Sequence, residues 1–289
     1  MSATDHTNEG RTPGFARNMG LEALLKDINA SLWISEQLAL ADLQAPRFPL
    51  VFVMGPLRSG TTLFMQWLAN SGLVAYPTNL LSRFYQAPII GAKIQLLLTD
   101  PRYNFRDELG EFVQQAEYRS ENGKTKGVLA PNEFWYFWRR FLAEPGRDAW
   151  TDEELRQSMD TRTMLAELAG MVEVFQKPFA AKGLLFNYNI PFLNSVLDKV
   201  VFVQIKRDPV TNVASVLEAR KRQLGSEDAG RNRNNRVTRQ HNRSSDNLAQ
   251  CRLRCDIAIA DGGDGDDSPV NTLGNAGEAI ARPFDQVHD

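Results

Sequence analysis

The chain has 289 residues, 43% of them hydrophobic, with five tryptophans and a formal net charge of −2. That length and apolar content can bury one sizeable core, so a single α/β domain is the economical reading, and the near-neutral balance gives no general bias toward nucleic acid or membrane surfaces. No apolar run approaches the ~20 residues of a membrane helix, and residues 1–18 are polar without an apolar leader stretch. A cytoplasmic protein with a disordered arm over 1–18 and a folded domain over 19–225 is expected.

Leu21, Leu24, Leu25, Ile28, Leu32 and Leu38 recur mostly three or four apart, which predicts an amphipathic helix packed through its leucines. Leu50 to Met54 is an uncharged run suited to a parallel strand buried on both faces. It runs at once into Gly55, Pro56, Leu57, Arg58, Ser59 and Gly60, then Thr61, Thr62 and a helical pattern through Leu63, Met65, Trp67 and Leu68 that ends at Asn70 to Gly72. The order is strand, anion loop, helix. The two glycines let backbone N–H groups approach an anion, and the helix start turns its positive dipole end to the same place. The G-x4-G spacing matches a nucleotide P-loop, but Thr61 stands where an ATPase or kinase carries its lysine, and the positive charge moves into the loop as Arg58. A phosphate or sulfate fits this loop, and ATP is not the first reading.

Leu80 to Leu98 is apolar enough for a buried helix. Residues 118–142 are the most aromatic part of the chain: Pro131 is expected to start a helix in which Phe134, Trp135, Phe137, Trp138 and Phe141 cover most faces, either deep in the core or lining an apolar cavity. Glu133 is the carboxylate among them. Apolar surroundings favour the neutral form of a carboxyl group and suit it to take a proton from a hydroxyl, which makes Glu133 a candidate base. In the structural alternative it lies in the first helical turn and complements the dipole.

Thr151 to Glu154 is a T-x-x-E capping box, opening a helix marked by Leu155, Met159, Leu165, Leu168, Val172 and Phe175. Lys182 to Asn187 is expected to include a short strand. Val200 to Ile205 is a second buried-strand run, with Asp208 as N-cap, Pro209 at the first helical position, and Val213, Val216 and Leu217 as the apolar stripe of the next helix.

The string PLRSGTTL, Pro56 to Leu63, resembles the 5′-phosphosulfate loop of the sulfotransferases that use 3′-phosphoadenosine-5′-phosphosulfate (PAPS). Arg207 and Ser215, eight apart across the second strand-to-helix turn, resemble the pair with which that family grips the 3′-phosphate. The resemblance covers about residues 48–225. It implies an α/β, three-layer P-loop-type domain with a central parallel sheet flanked by helices. The implied reaction is transfer of a sulfuryl group from PAPS to a hydroxyl or amine acceptor, with 3′,5′-ADP as product and no metal. By the same resemblance Arg58, Ser59, Gly60, Thr61 and Thr62 hold the 5′-phosphosulfate, and Arg207 and Ser215 hold the 3′-phosphate. Lys182 partly matches the K-x-P step whose lysine neutralises the transferring group, Gly183-Leu184 replacing the proline; the alternative is a plain surface lysine. Arg58, Glu133 and Lys182 form the candidate catalytic set.

One branch of the family takes its base from a glutamate soon after the loop, but no carboxylate lies between Arg58 and Asp100. A histidine base is excluded because His6, His241 and His288 all fall in the arm or the tail. The acceptor is a small molecule or other hydroxyl or amine compound, and the aromatic patch around Trp135 and Trp138 points to an apolar or ring-containing one. Oligomeric state is left open.

Beyond Leu224 the composition shifts. Residues 226–289 are dominated by Ser, Asn, Asp, Gly and Arg and hold both cysteines, Cys251 and Cys255, a composition that buries too little apolar surface to offset chain entropy. Disorder or marginal structure is expected there. Its arginine cluster lacks interleaved aromatics and precedes an acidic block, so no nucleic-acid partner is expected, nor a zinc or calcium site. A departure of reading frame near residue 225 is one account of why the family's late basic, glycine-containing segment is not found. Two other classes stay open: a non-catalytic nucleotide-binding or truncated remnant, and a P-loop kinase or NTPase, which would need magnesium and a lysine clamp.

Overall fold

Strand β1 (Leu50–Met54) lies between two parallel partners, β4 (Phe179–Lys182) and β5 (Lys199–Ile205). The computed structural model describes residues 12–13, 16–40, 43, 45–106, 108–109, 120–121, 124–143, 149–224 and 255–261. Helix α1 (Met19–Leu40) precedes β1. Between β1 and β4 come α2 (Thr61–Ser71), α3 (Pro88–Thr99), the small ladder of β2 (Ser120–Glu121) and β3 (Lys124–Thr125), α4 (Trp135–Arg139), α5 (Asp152–Ser158) and α6 (Thr161–Phe175). Helix α7 (Ile190–Val196) leads into β5, and α8 (Pro209–Leu224) and β6 (Cys255–Asp261) follow it.

The main sheet has the order β4-β1-β5-β6, with β6 antiparallel to β5. Parallel neighbours need long crossovers, and the helices supply them. Phe52 sits opposite Ala181 on one side and Phe202 on the other. Its ring faces a core shared with Trp138 of α4, Leu168 of α6 and Phe192 of α7, while Val53 packs with Met65 of α2 and Val203 on the opposite face. An uncharged strand covered on both faces is what Leu50 to Met54 led one to expect, and the α/β architecture with a central parallel sheet between helices follows from it. Among the described residues no helix is long and apolar enough to cross a membrane.

Several local expectations are corrected. In α1 the leucine stripe is buried only in part: Leu25 is buried and Leu21, Ile28 and Leu32 are half-buried, but Leu24 and Leu38 are exposed, and Asn29 and Glu36 share the inward face. Asn29 donates to the Arg83 carbonyl and Glu36 accepts from the first amides of α3, so tertiary hydrogen bonds set the face. The apolar stretch 80–98 divides into a 3₁₀ turn, Leu81–Phe84, and α3, with Pro88 at the helix start. The helix expected from Pro131 begins at Trp135 instead. Asn132 donates its amide to the Pro77 carbonyl and accepts from the Phe134 amide, and Phe134 adopts φ 56°, a left-handed conformation outside any helix.

The helix after the Thr151–Glu154 capping box stops at Ser158, and Asp160 caps a new one by accepting from Thr163. The strand near Lys182 ends at that residue, before a 3₁₀ turn at Leu184–Phe186. In α8 the buried residues are Asn212 and Ala219, while Val213 and Leu217 are exposed. Of the span 226–289, strand β6 is described; the rest, including Cys251, and residues 1–11 of the arm lie outside the described residues.

Candidate functional site

The carboxyl ends of β1, β4 and β5 lie side by side, the place where open parallel sheets present ligand sites. From β1 comes the loop Gly55 to Gly60. Gly55 (φ 151°) passes so close to β5 that a Cβ there would lie 2.8 Å from the Ile205 carbonyl oxygen and 2.8 Å from Ser59 Oγ. Any larger residue would push the loop off the sheet. Gly60 (φ 105°) makes the left-handed step into α2. Arg58 also has positive φ, 66°, a strained conformation for a non-glycine residue that must be held by its surroundings.

Those surroundings are the other motif. Arg58 Nε donates to Ser215 Oγ at 3.2 Å, and the Arg58 carbonyl accepts from Arg207 Nη1 at 2.6 Å. Residues more than 140 positions apart in sequence thus meet at one corner. Neither guanidinium is in an ion pair with a carboxylate among the described residues. Asp208 is occupied as the cap of α8, accepting from the Thr211 amide and hydroxyl, and those bonds hold its carboxyl below the ordinary aspartate range. Ser59 Oγ is buried beside Gly55 with no hydrogen-bond partner among the described residues. Unpaired cations and an orphaned hydroxyl around a loop of backbone amides suit an anion.

From β4 comes Lys182, 3% exposed, whose Nζ donates to Thr62 Oγ1 at 2.6 Å and to Glu133 Oε1 at 3.0 Å. The loop has no lysine of its own at Thr61, yet an ammonium group reaches the start of α2 from the neighbouring strand. Glu133 is not stranded in an apolar pocket, as its aromatic neighbours in sequence suggested. Trp135 Nε1 donates to Oε2 at 2.6 Å, so both carboxyl oxygens have polar partners, an indole N–H and the Lys182 amine. Nor does it lie in a first helical turn, since α4 starts beyond it.

Two site residues were not singled out by sequence reasoning. Asn187 brackets the Gly55 peptide, accepting from its amide and donating to its carbonyl, both at 3.0 Å. Buried Asn212 donates to the Leu57 carbonyl at 2.9 Å. Asn187 ends the KGLLFN string and Asn212 lies between Arg207 and Ser215, but one asparagine in a polar turn carries no signal of its own.

Beside Glu133 opens a cavity of about 840 Å³ whose lining includes Leu25, Arg83, Val128, Phe134, Trp135 and Tyr136. The two tryptophans of the aromatic patch part company here. Trp135 lines the cavity, whereas Trp138 is core, its ring 5.8 Å from that of Phe52. The Tyr136 hydroxyl donates to Glu22 of α1 at 2.6 Å, and burial together with that carboxylate pushes its pKa up to about 12.

A family model described as the sulfotransferase family matches residues 49–257. The chain belongs to the sulfotransferase family. The match begins just before β1 and runs past residue 225, where the sequence resemblance was drawn to a close, into β6. No curated protein and no solved structure matches the chain. In this sulfotransferase the loop, the Arg58–Ser215–Arg207 corner and Lys182 share one rim, and Lys182 joins that rim to the carboxylate of the cavity. Among the described residues no group of three or more His, Cys, Asp or Glu side chains is placed to hold a metal ion.

Proposed function

We propose that this sulfotransferase transfers a sulfuryl group from PAPS to a hydroxyl or amine acceptor held in the cavity beside Glu133. The observation that carries the reading is the position of Lys182 Nζ, in hydrogen-bond contact with Thr62 at the anion loop and with Glu133 at the cavity. The orphaned Ser59 hydroxyl, the close approach at Gly55 and the two guanidinium groups without carboxylate partners fit a dianionic nucleotide end. When bound, the donor supplies an activated sulfuryl group with 3′,5′-ADP as its leaving group.

The chain's own residues then have these tasks. Arg58, Ser59, Gly60, Thr61 and Thr62 bind the 5′-phosphosulfate, and Arg207 and Ser215 bind the 3′-phosphate. Lys182 offsets negative charge at the start of α2, and Glu133 takes the proton of the acceptor. Such catalysis is positioning and preorganised electrostatics.

The test is a thermal-shift titration of the full chain with 3′,5′-ADP, against ATP–Mg²⁺, followed by transfer assays with PAPS. A rise with 3′,5′-ADP that vanishes in Arg207→Ala is expected, because a ligand that binds the native state stabilises it. A rise with ATP–Mg²⁺ alone would overturn the reading in favour of a kinase or NTPase. Binding of 3′,5′-ADP without transfer to any acceptor would leave a non-catalytic nucleotide binder.

A further inference from the structure

The cavity beside Glu133 has many polar side chains in its wall, and nearly all are closed on the protein itself. Asn79 Nδ2 donates to the carbonyls of Thr125 and Gly127, and its Oδ1 accepts from Asn132. Asn132 Oδ1 accepts from the Phe134 amide. The hydroxyls of Ser82 and Thr125 donate to the carbonyls of Asn79 and Pro131. Trp135 Nε1 is committed to Glu133, Tyr136 to Glu22, and the charge of Glu133 is matched by Lys182.

Arg83 is the exception. Its backbone is fixed, the carbonyl accepting from Asn29 Nδ2 at 2.8 Å and the amide donating to the Leu80 carbonyl. Arg83 lines the cavity as an exposed residue, and its side chain has no hydrogen-bond or ion-pair partner among the described residues. The backbone of Arg83 is held while its exposed side chain stays open to a ligand in a wall whose other polar groups bond the protein, and the partner that its planar fork fits is a carboxylate, sulfate or phosphate.

We infer that the acceptor is anionic: a hydroxyl or amine compound that carries, besides the group to be modified at Glu133, a carboxylate or sulfur oxyanion paired with Arg83. The inference rests on the sulfuryl-transfer reading for the direction of the chemistry, but not for the preference itself. The same cavity is lined by Leu25, Val128, Phe134 and Trp135, apolar surface for the body of the acceptor, and about 840 Å³ has room for an aryl or sugar skeleton. The acceptor's charge then selects it: a neutral analogue loses the Arg83 contact and gains nothing elsewhere in the wall.

The test is calorimetric titration of the full chain, in the presence of 3′,5′-ADP, with matched probes. These are p-nitrophenyl β-glucuronide against p-nitrophenyl β-glucoside, p-hydroxyphenylacetate against p-hydroxyphenylacetamide, and p-hydroxybenzenesulfonate as the sulfur oxyanion. Charged members are expected to bind about tenfold or more tighter, the range of a charge-assisted hydrogen bond. The preference should disappear in Arg83→Gln and survive in reduced form in Arg83→Lys, which keeps the charge and loses the fork. Carboxylates binding without the sulfonate would narrow the acceptor to carboxylates. Equal binding of charged and neutral members, no binding of any probe, or a preference intact in Arg83→Gln would each overturn the inference. The thermal shift with 3′,5′-ADP, measured on the same samples, keeps the two readings apart. Its absence in the wild type counts against the nucleotide site, and its persistence in Arg83→Gln shows that the fold and that site are intact.

Discussion

Two parts of this molecule bury polar side chains, and they treat them differently. In the helical layer, Asn29 of α1 donates to the Leu25 and Arg83 carbonyls and accepts from the Gln86 amide, and Glu36 accepts from the Ile89 and Ile90 amides at the start of α3. Their hydrogen-bonding capacity is turned onto the chain itself. At the strand ends, among the described residues, Ser59 Oγ is buried without a hydrogen-bond partner and Arg58 and Arg207 meet with no carboxylate paired to either. An open valence alone does not mark a binding group, since Trp138 Nε1 in the core also has no hydrogen-bond partner among the described residues; at the strand ends the open hydroxyl stands beside two guanidinium groups and a loop of backbone amides.

That contrast sets what each substitution should move. At the strand ends the signal should appear in ligand and turnover measurements. Glu133→Gln keeps the shape but removes the proton acceptor, and is expected to lower sulfuryl transfer by about 10²–10⁴-fold with 3′,5′-ADP affinity unchanged; near-normal turnover would remove Glu133 from the mechanism. Asn212→Ala leaves the Leu57 carbonyl unpaired and is expected to cost about 1–3 kcal/mol, divided between chemical denaturation and nucleotide affinity. A change in stability alone would show that the loop does not depend on this anchor.

In the helical regions the signal should be in stability only. Thr151→Ala breaks the capping box at α5 and is expected to cost about 1 kcal/mol, with no change in 3′,5′-ADP binding. The smallest effect is a slope. Burial raises the pKa of Glu36 above its ordinary 4.5, against the lowering by the Ile89 and Ile90 amides, Arg140 and Lys93. The folded state therefore holds more protons than the unfolded one between 4.5 and the raised value, and stability falls as pH rises through that window. In Glu36→Gln this slope should be gone, so the wild-type Tm minus the variant Tm should decline as pH rises from 4.5; a constant difference would mean that Glu36 titrates alike in both states.

How much of this could be read from sequence depends on how local each feature is. Leu50 to Thr62 is continuous, so strand, loop and helix start were legible together, as was the second turn from Val200 to Ser215. The Lys182–Glu133 contact was not, although both residues had been named, because it joins the end of β4 to a segment whose conformation depends on distant backbone groups. The same dependence explains why α4 starts late, since the Pro77 carbonyl claims the Asn132 amide. It also explains what the leucine pattern of α1 left out, the burial of Asn29 and Glu36 for the sake of groups more than 50 positions away. Periodicity reports apolar burial, and here the inward face is partly polar. Nothing local marked Arg83, whose role comes from what its neighbours already bond.

The register of the sheet has a consequence for how this protein comes into being. Leu50 pairs with Phe179 and with Val200, so β1 waits for more than half of the chain before it has either neighbour. Pairings this distant in sequence close slowly. The anion loop is complete in sequence by Gly60, but its shape is held by Asn187, Arg207 and Asn212. A growing chain on the ribosome therefore carries the loop long before the loop has its shape, and that shape arrives late, in step with the emergence of α8.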